Sequence, residues 1–577
     1  MKSLFSLLNY IIKPFKLQTQ ESFELPRFNA LSNESGKTAF YLNDPTTPYL
    51  VAEEAPPQDT CFPVSVKDDK GPGYPMGSPQ QQASACKLII NNLLCYLLVI
   101  HRFTNSDKKL SGWVSKKPLS VVPRAGVDLN AYYDRNSLKF FYYNSPKKVV
   151  FACDSTPVVC HEFGHAFLDT LRPDFWSAQS FEVWAFHESF GDISSIIASL
   201  QRDELITYAI EETRGDLLRS NVITRVGAEM GQTYYEMIKG KNGSLPSCLR
   251  DASVVYKYVA PESLPKKGPD NVLVYESHNF SRVFTGAFYE MCVEVANQII
   301  KDGTCKGLLE AMKLSRDICA RYLLKATVSV PCTVRLFEAL AKQILLADRD
   351  EGSKYQSVIK SVFIRRNIMT SSVKMLQNKS ISDVKSELAG QAYTIELQNS
   401  EKVIKTFSDN TIKIIDKRVL SLRNNHLYGL QVEVPNQVAY YFDSKDRLVD
   451  VVGSSENEVI NSAMECLDYL DRNALIGKGK EFEIKYGKIT RSRIKCKCGL
   501  PNYCDPNAPE FNKPWKPANH SSCCKCVGES CKPRSCGCEE FSSKNEKRKS
   551  YCSSSIVSCL SGRYLVGQFL KRKVCSN

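Results

Sequence analysis

The stretch VVCHEFGHAFLD, residues 158–169, decides how this chain is interpreted. In a helix, His161 and His165 lie one turn apart on the same face, so both imidazoles can reach one metal ion. A catalytic Zn2+ site uses three protein ligands and keeps a further position open. Glu162 lies beside that face, where its carboxylate can accept a proton from water activated by the metal. The stretch therefore predicts a helical zinc site with a general base.

A second polar pattern lies in WAFHESFGDI, residues 184–193, where Glu188 follows His165 by 23 residues. Glu188 and Asp192 are four residues apart and share one helical face. Two carboxylates in such an apolar run are costly to bury unpaired, and a cation between two helices would remove that cost. One carboxylate can bind the metal while the other orients a ligand imidazole. The alternative is an exposed polar stripe.

The ordered set of motifs resembles the thermolysin family of zinc metallopeptidases, the gluzincins. The first match is HExxH followed some twenty residues later by ExxxD. Three further segments resemble the family's substrate-binding edge strand, its Leu-Arg pair and the segment of its second catalytic histidine. They are NAYY at 130–133, LR at 249–250 and HNFSRVFTGAFY at 278–289. The resemblance covers about residues 84–369, roughly half of the chain.

The resemblance implies a single catalytic Zn2+ ion bound by His161, His165 and Glu188. Asp192 would steady one of the ligand histidines. His187 stands where the family usually has Asn, just before the glutamate, and would either support a ligand or compete for the metal.

The resemblance also implies how a peptide or protein substrate would be bound and cleaved. Glu162 would act as the general base. His278 would donate a hydrogen bond to the oxyanion, and Arg250 would bind a substrate carbonyl next to the scissile bond. The residues expected to contact the peptide or line its pocket are Asn130, Ala131, Val158 and Leu249.

The predicted fold class is α+β. The resemblance implies a thermolysin-like metallopeptidase with a mixed N-terminal lobe and a mostly helical C-terminal lobe. Pro, Gly and Ser clusters predict an irregular N-terminal region over residues 1–83, before the metallopeptidase domain at 84–369. Alternating patterns predict a small α+β domain at 375–485. A basic, Cys-rich tail follows at 490–577.

Length and composition limit the alternatives. A chain of 577 residues is too long for a single core, and 43% hydrophobic with 24% charged residues excludes a wholly disordered chain. The longest apolar run, Leu88–Ile100, is shorter than a membrane crossing needs, so it predicts a buried helix and no transmembrane span. The N-terminus has no convincing signal peptide, which favours an intracellular location over secretion.

The tail differs from the rest of the chain. Residues 481–577 hold 19 Lys and Arg against 8 Asp and Glu, a net charge of +11 out of +14, and 12 of the 23 cysteines. Tight CxC spacings suit structural zinc, but the cysteines do not form a clean frame of two CxxC pairs, so a zinc module, a disulfide module and a low-order basic tail all stay open. The charge suits an acidic partner or nucleic acid.

The leading hypothesis is a zinc-dependent endopeptidase that hydrolyses peptide bonds with metal-activated water. The alternative is an inactive, peptidase-like binding or scaffold protein that acts through its basic Cys-rich tail.

Overall fold

The computed structural model describes residues 36–369, except 48, 105–108, 179, 240–247 and 270, together with 379–389 and parts of 393–491. It contains both helices and sheets, so the predicted α+β class is confirmed at the level of a mixed protein. The tail beyond residue 491, with its predicted zinc or disulfides, lies outside the described residues. The cysteines described between Cys61 and Cys332 are free thiols.

Helices dominate the part of the chain that carries the predicted site. In chain order, the described α-helices are α1 (Pro79–Arg102), α2 (Thr156–Leu171), α3 (Pro173–Ser177), α4 (Phe181–Ser199), α5 (Asp203–Thr213), α6 (Ala228–Lys239), α7 (Ser277–Lys301), α8 (Leu308–Ser329), α9 (Leu336–Asp350), α10 (Gln356–Arg365) and α11 (Ile381–Glu387). Helix α2 packs against α4, α4 against α7, and α7 against α8. The histidine pair of α2 therefore faces the carboxylates of α4.

The strands are short in the N-terminal half and longer after residue 390. In chain order, the described strands are β1 (Thr38–Tyr41), β2 (Leu50–Glu53), β3 (Val64–Val66), β4 (Leu119–Val122), β5 (Ala131–Tyr133), β6 (Ser137–Phe140), β7 (Tyr142–Asn144), β8 (Val149–Phe151), β9 (Arg225–Val226), β10 (Arg250–Asp251), β11 (Tyr393–Gln398), β12 (Glu401–Phe407), β13 (Thr411–Lys413), β14 (Leu430–Glu433), β15 (Gln437–Phe442), β16 (Leu448–Val452), β17 (Glu483–Ile484) and β18 (Gly487–Arg491).

A mixed four-stranded sheet lies next to α2. Its order is β3-β4-β6-β5, with β3, β4 and β6 parallel and β5 antiparallel to β6. Strand β5 is at the edge and packs against α2. An edge strand leaves one row of backbone groups unpaired, which is what an added peptide strand needs.

The N-terminal region differs from its description in the sequence. Strands β1, β2 and β3 fall inside the region expected to be irregular, and Phe40, Leu42, Phe62 and Val64 join the main core. In strands of three or four residues, the alternation of apolar and polar residues is too short to be recognised in a region rich in Pro and Gly. Helix α1 also begins earlier than residue 84, because Ser78 caps it by accepting a hydrogen bond from the Gln81 amide and Pro79 occupies its first turn.

Helix α1 contains the longest apolar run of the chain. By length and composition alone it could cross a membrane, and it is the one described helix of which this holds. However, 78% of its most apolar window is buried inside the molecule, where α1 packs against α2, α8 and strands β1 and β3. A buried core helix passes the same test, so the absence of a transmembrane span stays a prediction.

The small α+β domain is attached to the helical part through β15 and the turn after β16. The backbone amide of Gln437 donates to the carbonyl of Cys332 at 2.9 Å, and the Gln437 side chain accepts from the Cys332 amide at 2.8 Å. Tyr441 and Val452 are buried in the main hydrophobic core. Among the described residues, part of this domain therefore packs into the core of the helices, whereas Val384, Leu388 and Phe442 form a separate small cluster.

Candidate metal centre

Two glycines allow α2 and α4 to cross closely. A Cβ atom on Gly164 would lie 2.9 Å from the Cα of Gly191 and 2.7 Å from Ser194 Oγ. A Cβ atom on Gly191 would lie 2.7 Å from Nδ1 and Cε1 of His161. Such distances exclude any larger residue without a shift of the helices. The glycines of HEFGH and ESFGD thus set the helix separation that brings His161 within reach of Glu188.

Three predicted metal ligands converge at this crossing. The ligating atoms of His161, His165 and Glu188 all lie within 4.8 Å of one another, and all three side chains are buried. The Nε2 atoms of the two histidines are 3.4 and 3.6 Å from the Glu188 carboxylate. Among the described residues, neither Glu188 oxygen accepts a hydrogen bond of good geometry.

Asp192 and Arg250 hold the outer side of His161. Asp192 Oδ1 lies 2.9 Å from His161 Nδ1. Arg250, on β10, donates through Nε and one terminal nitrogen to the two Asp192 oxygens at 2.8 and 2.7 Å. With Nδ1 facing a carboxylate, a neutral His161 keeps its proton there and turns the Nε2 lone pair toward Glu188.

The charge states of His161 and Asp192 depend on each other and on the charges of Arg250 and Glu188. Burial favours a neutral Asp192, but the positive charge of Arg250 and the bond to His161 hold the pKa of the Asp192 carboxyl well below its usual range. Burial also opposes a charged His161, yet Asp192 and Glu188 outweigh it and raise the pKa of that imidazole to about 9. The carboxylates therefore make this buried pocket attractive to positive charge, whether carried by a proton or by a metal ion.

His278 reaches the same place from the first turn of α7. Its Nε2 lies 3.2 Å from a Glu188 oxygen, and its Nδ1 lies 2.9 Å from Glu276. Glu276 also caps α7 by accepting hydrogen bonds from the amides of His278 and Asn279 at 3.0 and 2.8 Å. Burial opposes the charged form of His278, but Glu188 and Glu276 outweigh it and raise the pKa of the imidazole. A charged His278 presents an Nε2–H donor toward the pocket.

Glu162 and His187 occupy different positions around the ligands. Glu162 directly follows His161 on α2 and is 7% exposed, so its side chain is buried without being fully enclosed. His187 is fully buried behind His165, with ring centroids 6.0 Å apart, and it contacts the edge of Trp176. Burial lowers the pKa of His187 to about 3, so its ring is neutral. His187 also lies outside the cluster of ligating atoms, so its position favours support of His165 over competition for the metal.

Asn130 and Ala131 lie at the start of the edge strand. The Asn130 side chain accepts a hydrogen bond from the Ala131 amide at 2.9 Å, and both residues are partly exposed. The next strand residue but one, Tyr133, donates its hydroxyl to Asp169 of α2 at 3.0 Å. Arg135 pairs with the same buried carboxylate at 2.8 Å. Asp169 therefore fixes the edge strand to the histidine-bearing helix.

The two predicted pocket residues lie on different elements. Val158 lies one turn before His161 on α2 and is buried. Leu249 precedes Arg250 and packs on Gly227, where an added Cβ would lie 2.9 Å from its Cδ1. Both are near ligand-supporting residues, and their contact with a substrate side chain stays a prediction.

Sequence reasoning missed Glu276 and both helix-crossing glycines. The signal for Glu276 is local, since an acidic residue two positions before a histidine at a helix start can both cap the helix and bind the imidazole. The glycines carry no signal of their own, because only the packed helices reveal what a Cβ atom would meet.

No model of a known protein family matches the chain, and no curated protein matches its sequence.

Proposed function

We propose that the described part of residues 84–369 is a thermolysin-like zinc metallopeptidase domain and that the chain is a zinc-dependent endopeptidase. One observation carries this proposal. Three imidazoles from α2 and α7, those of His161, His165 and His278, place Nε2 within 3.2 to 3.6 Å of the buried Glu188 carboxylate of α4. Asp192 of α4 binds the other side of His161, and Arg250 of β10 holds Asp192.

The donor set fits a zinc ion. Two imidazole nitrogens and one carboxylate are common ligands of catalytic zinc. Glu188 is fully buried, and three Nε2 atoms approach it within 3.2 to 3.6 Å without a hydrogen bond of good geometry. Burying a carboxylate is unfavourable unless positive charge accompanies it, and a metal cation at the shared position of these ligands would supply that charge in place of protonated imidazoles. When bound, zinc would supply an acidified water molecule and polarise the peptide carbonyl.

The remaining residues have roles that follow from their positions. Glu162, next to His161 on α2, would accept the proton of the attacking water. His278, held by Glu276, would donate Nε2–H to the oxyanion that forms on the substrate. Arg250 holds Asp192 through Nε and one terminal nitrogen, which leaves the other terminal nitrogen for a substrate carbonyl.

The substrate peptide would lie along β5. An extended chain can add to the free edge of this strand, and Asn130 and Ala131 are the first partly exposed groups on that path. The bond between Tyr133 and Asp169 keeps the strand at a fixed distance from α2. This geometry suits cleavage within a chain, because neither end of the substrate has to be recognised.

The test is Glu162→Gln in the full-length chain, assayed with a quenched peptide library and casein. We expect hydrolysis to fall by about 100-fold or more, because the general base is lost, while zinc stays bound at the His161 site. Glu310→Gln is the matched control, since Glu310 is exposed on α8 and pairs with Lys313. Undiminished hydrolysis in Glu162→Gln would remove Glu162 from the mechanism.

A wild-type chain that binds zinc but cleaves no peptide would favour the alternative, a peptidase-like binding protein that acts through its tail. The same assay with a chelator separates the two functions, because only the endopeptidase loses an activity when the metal is removed.

A further inference from the structure

Arg335 joins three acidic residues that come from separate parts of the chain. It immediately precedes α9, and only 7% of it is exposed. Its guanidinium nitrogens lie 3.4 Å from Glu182, 2.5 Å from Glu262 and 3.4 Å from Glu458. We call these four residues the Arg335 cluster. A buried cation with partners on three segments fixes the relative positions of those segments.

The first partner belongs to the helix that carries the metal ligand. Glu182 lies in the first turn of α4, six residues before Glu188, and is 1% exposed. Its oxygens also accept hydrogen bonds from the Tyr258 hydroxyl at 2.7 Å and the Phe337 amide at 2.9 Å. The start of α4 is thus anchored from several directions.

The second partner belongs to the segment that joins Arg250 to His278. Glu262 and Tyr258 both lie in this segment, and both contact the cluster. The same cluster therefore holds α4, with Glu188 and Asp192, against the segment whose two ends supply Arg250 and His278. These residues belong to the proposed active site, whose histidine ligands and general base lie on α2.

The third partner belongs to the small α+β domain. Glu458 follows β16, and Ser454 accepts a hydrogen bond from the Arg335 amide at 3.0 Å. Ser454 also shares a hydrogen bond with Thr333 at 2.6 Å. The small domain thus contacts the residue that connects α4 to the segment between Arg250 and His278.

We propose that Arg335 is a positioning residue for the metal centre. We also propose that the small α+β domain contributes to peptidase activity by helping to hold Arg335 in place. Arg335 holds Glu182, Glu262 and Glu458 in one arrangement. This arrangement keeps Glu188 in a fixed position relative to Arg250 and His278. The inference rests on the proposed function, because the relative positions of Glu188, Arg250 and His278 affect activity only if these residues act together on a metal ion and its substrate.

The experiment compares Arg335→Met with a variant that alters only the domain side, Ser454→Ala combined with Glu458→Gln. Three quantities are measured on the full-length chain: the zinc Kd by competition with a chromophoric chelator, kcat and KM on a quenched peptide, and hydrogen exchange of the α4 amides. We expect the zinc Kd to rise about tenfold in Arg335→Met and severalfold in the domain-side variant. We also expect kcat to fall with little change in KM, and α4 to exchange faster.

The control is Arg321→Met, which removes an arginine that pairs with Glu351 outside the cluster. It should leave the zinc Kd, kcat and α4 exchange unchanged. A merely structural role predicts a lower melting temperature with zinc Kd and kcat within about twofold of wild type, and that result would overturn the inference. If Arg335→Met does not fold, the domain-side variant decides, because it leaves Arg335 with its two partners in the helical part.

The proposed function can fail separately. A wild-type chain that binds zinc but hydrolyses no peptide would overturn the endopeptidase, while the zinc Kd and the exchange of α4 still decide the role of Arg335.

Discussion

Two buried glutamates of α4, Glu182 and Glu188, differ in the hydrogen bonds that they accept. Glu182 accepts hydrogen bonds from the Tyr258 hydroxyl and the Phe337 amide and pairs with Arg335. Glu188, six residues later and equally buried, accepts no hydrogen bond of good geometry from any described residue. Among the described residues, the first carboxylate therefore has hydrogen-bond donors of its own, whereas the second faces three imidazole Nε2 atoms at 3.2 to 3.6 Å.

Asp192 shows that the lack of hydrogen bonds to Glu188 does not result only from its place on α4. It lies one turn after Glu188 on the same helix and is satisfied by Arg250 and His161. The chain thus provides an arginine for the carboxylate that supports a ligand, and it leaves the carboxylate between the imidazoles without one. A carboxylate that binds a metal must have its oxygens available, whereas a carboxylate that orients a ligand histidine is itself held by hydrogen bonds.

The largest effect is expected when the unsatisfied carboxylate is removed. Glu188→Gln should raise the zinc Kd at this site by at least about 100-fold and abolish peptide hydrolysis, because an amide oxygen is a poor ligand for zinc.

Glu182→Gln, near the start of the same helix, is the matched control for that experiment. It should change the zinc Kd by less than about tenfold, because Glu182 lies outside the ligand set. Equal losses of zinc affinity in both variants would mean that the two carboxylates do not differ in the way described.

The next prediction concerns the close crossing of α2 and α4, which brings His161 near Glu188. Gly191→Ala would place a Cβ atom 2.7 Å from the His161 ring, so the ring or the helix must move. We expect a zinc Kd raised about 10- to 100-fold and a free energy of unfolding lowered by about 1–3 kcal/mol. Gly307→Ala is the control, since its added methyl group meets no heavy atom within 4 Å. Zinc binding unaffected by Gly191→Ala would show that the crossing distance is unimportant.

Removal of the metal by a chelator should lower the thermal stability of the wild type. A ligand bound at about 1,000 times its Kd stabilises the folded state by about 4 kcal/mol, so the wild type should melt several degrees lower without it. Glu188→Gln should melt at the same temperature with and without chelator. The measurement is differential scanning calorimetry, and a chelator shift retained in Glu188→Gln would place the stabilising metal elsewhere.

The smallest effect concerns the pH dependence of the satisfied carboxylate. Burial raises the pKa of Glu182 from 4.5 to about 7, despite Arg335, the Phe337 amide and the Tyr258 hydroxyl. The folded chain therefore keeps a proton that the unfolded chain releases at lower pH. This contribution to stability is complete below about pH 4.5 and is lost as the pH rises through about 7.

Urea unfolding of wild type and Glu182→Gln across this range checks the sign. The variant cannot lose the proton, so its stability relative to wild type should rise between about pH 5 and pH 8. Glu262 and Glu458 also face Arg335, and they are unchanged in both proteins. Parallel pH profiles for the two proteins would contradict the assignment to Glu182.

The sequence predicts much of the site but little of what supports it. The helical spacing of His161 and His165, and of Glu188 and Asp192, follows from the helical period of about 3.6 residues. That these pairs meet His278 was expected only from the resemblance to a family. The Arg335 cluster was beyond prediction, because its acidic partners lie from 73 to 153 residues away along the chain. The short strands β1 to β3 were missed, since three or four residues do not establish an alternation.

The most direct test is a crystal of the full-length chain grown with zinc, with diffraction measured on both sides of the zinc absorption edge. We expect an anomalous peak at about 2.0–2.2 Å from Nε2 of His161, Nε2 of His165 and a carboxylate oxygen of Glu188. A crystal that holds zinc elsewhere, with no peak among these three residues, would contradict the proposed site.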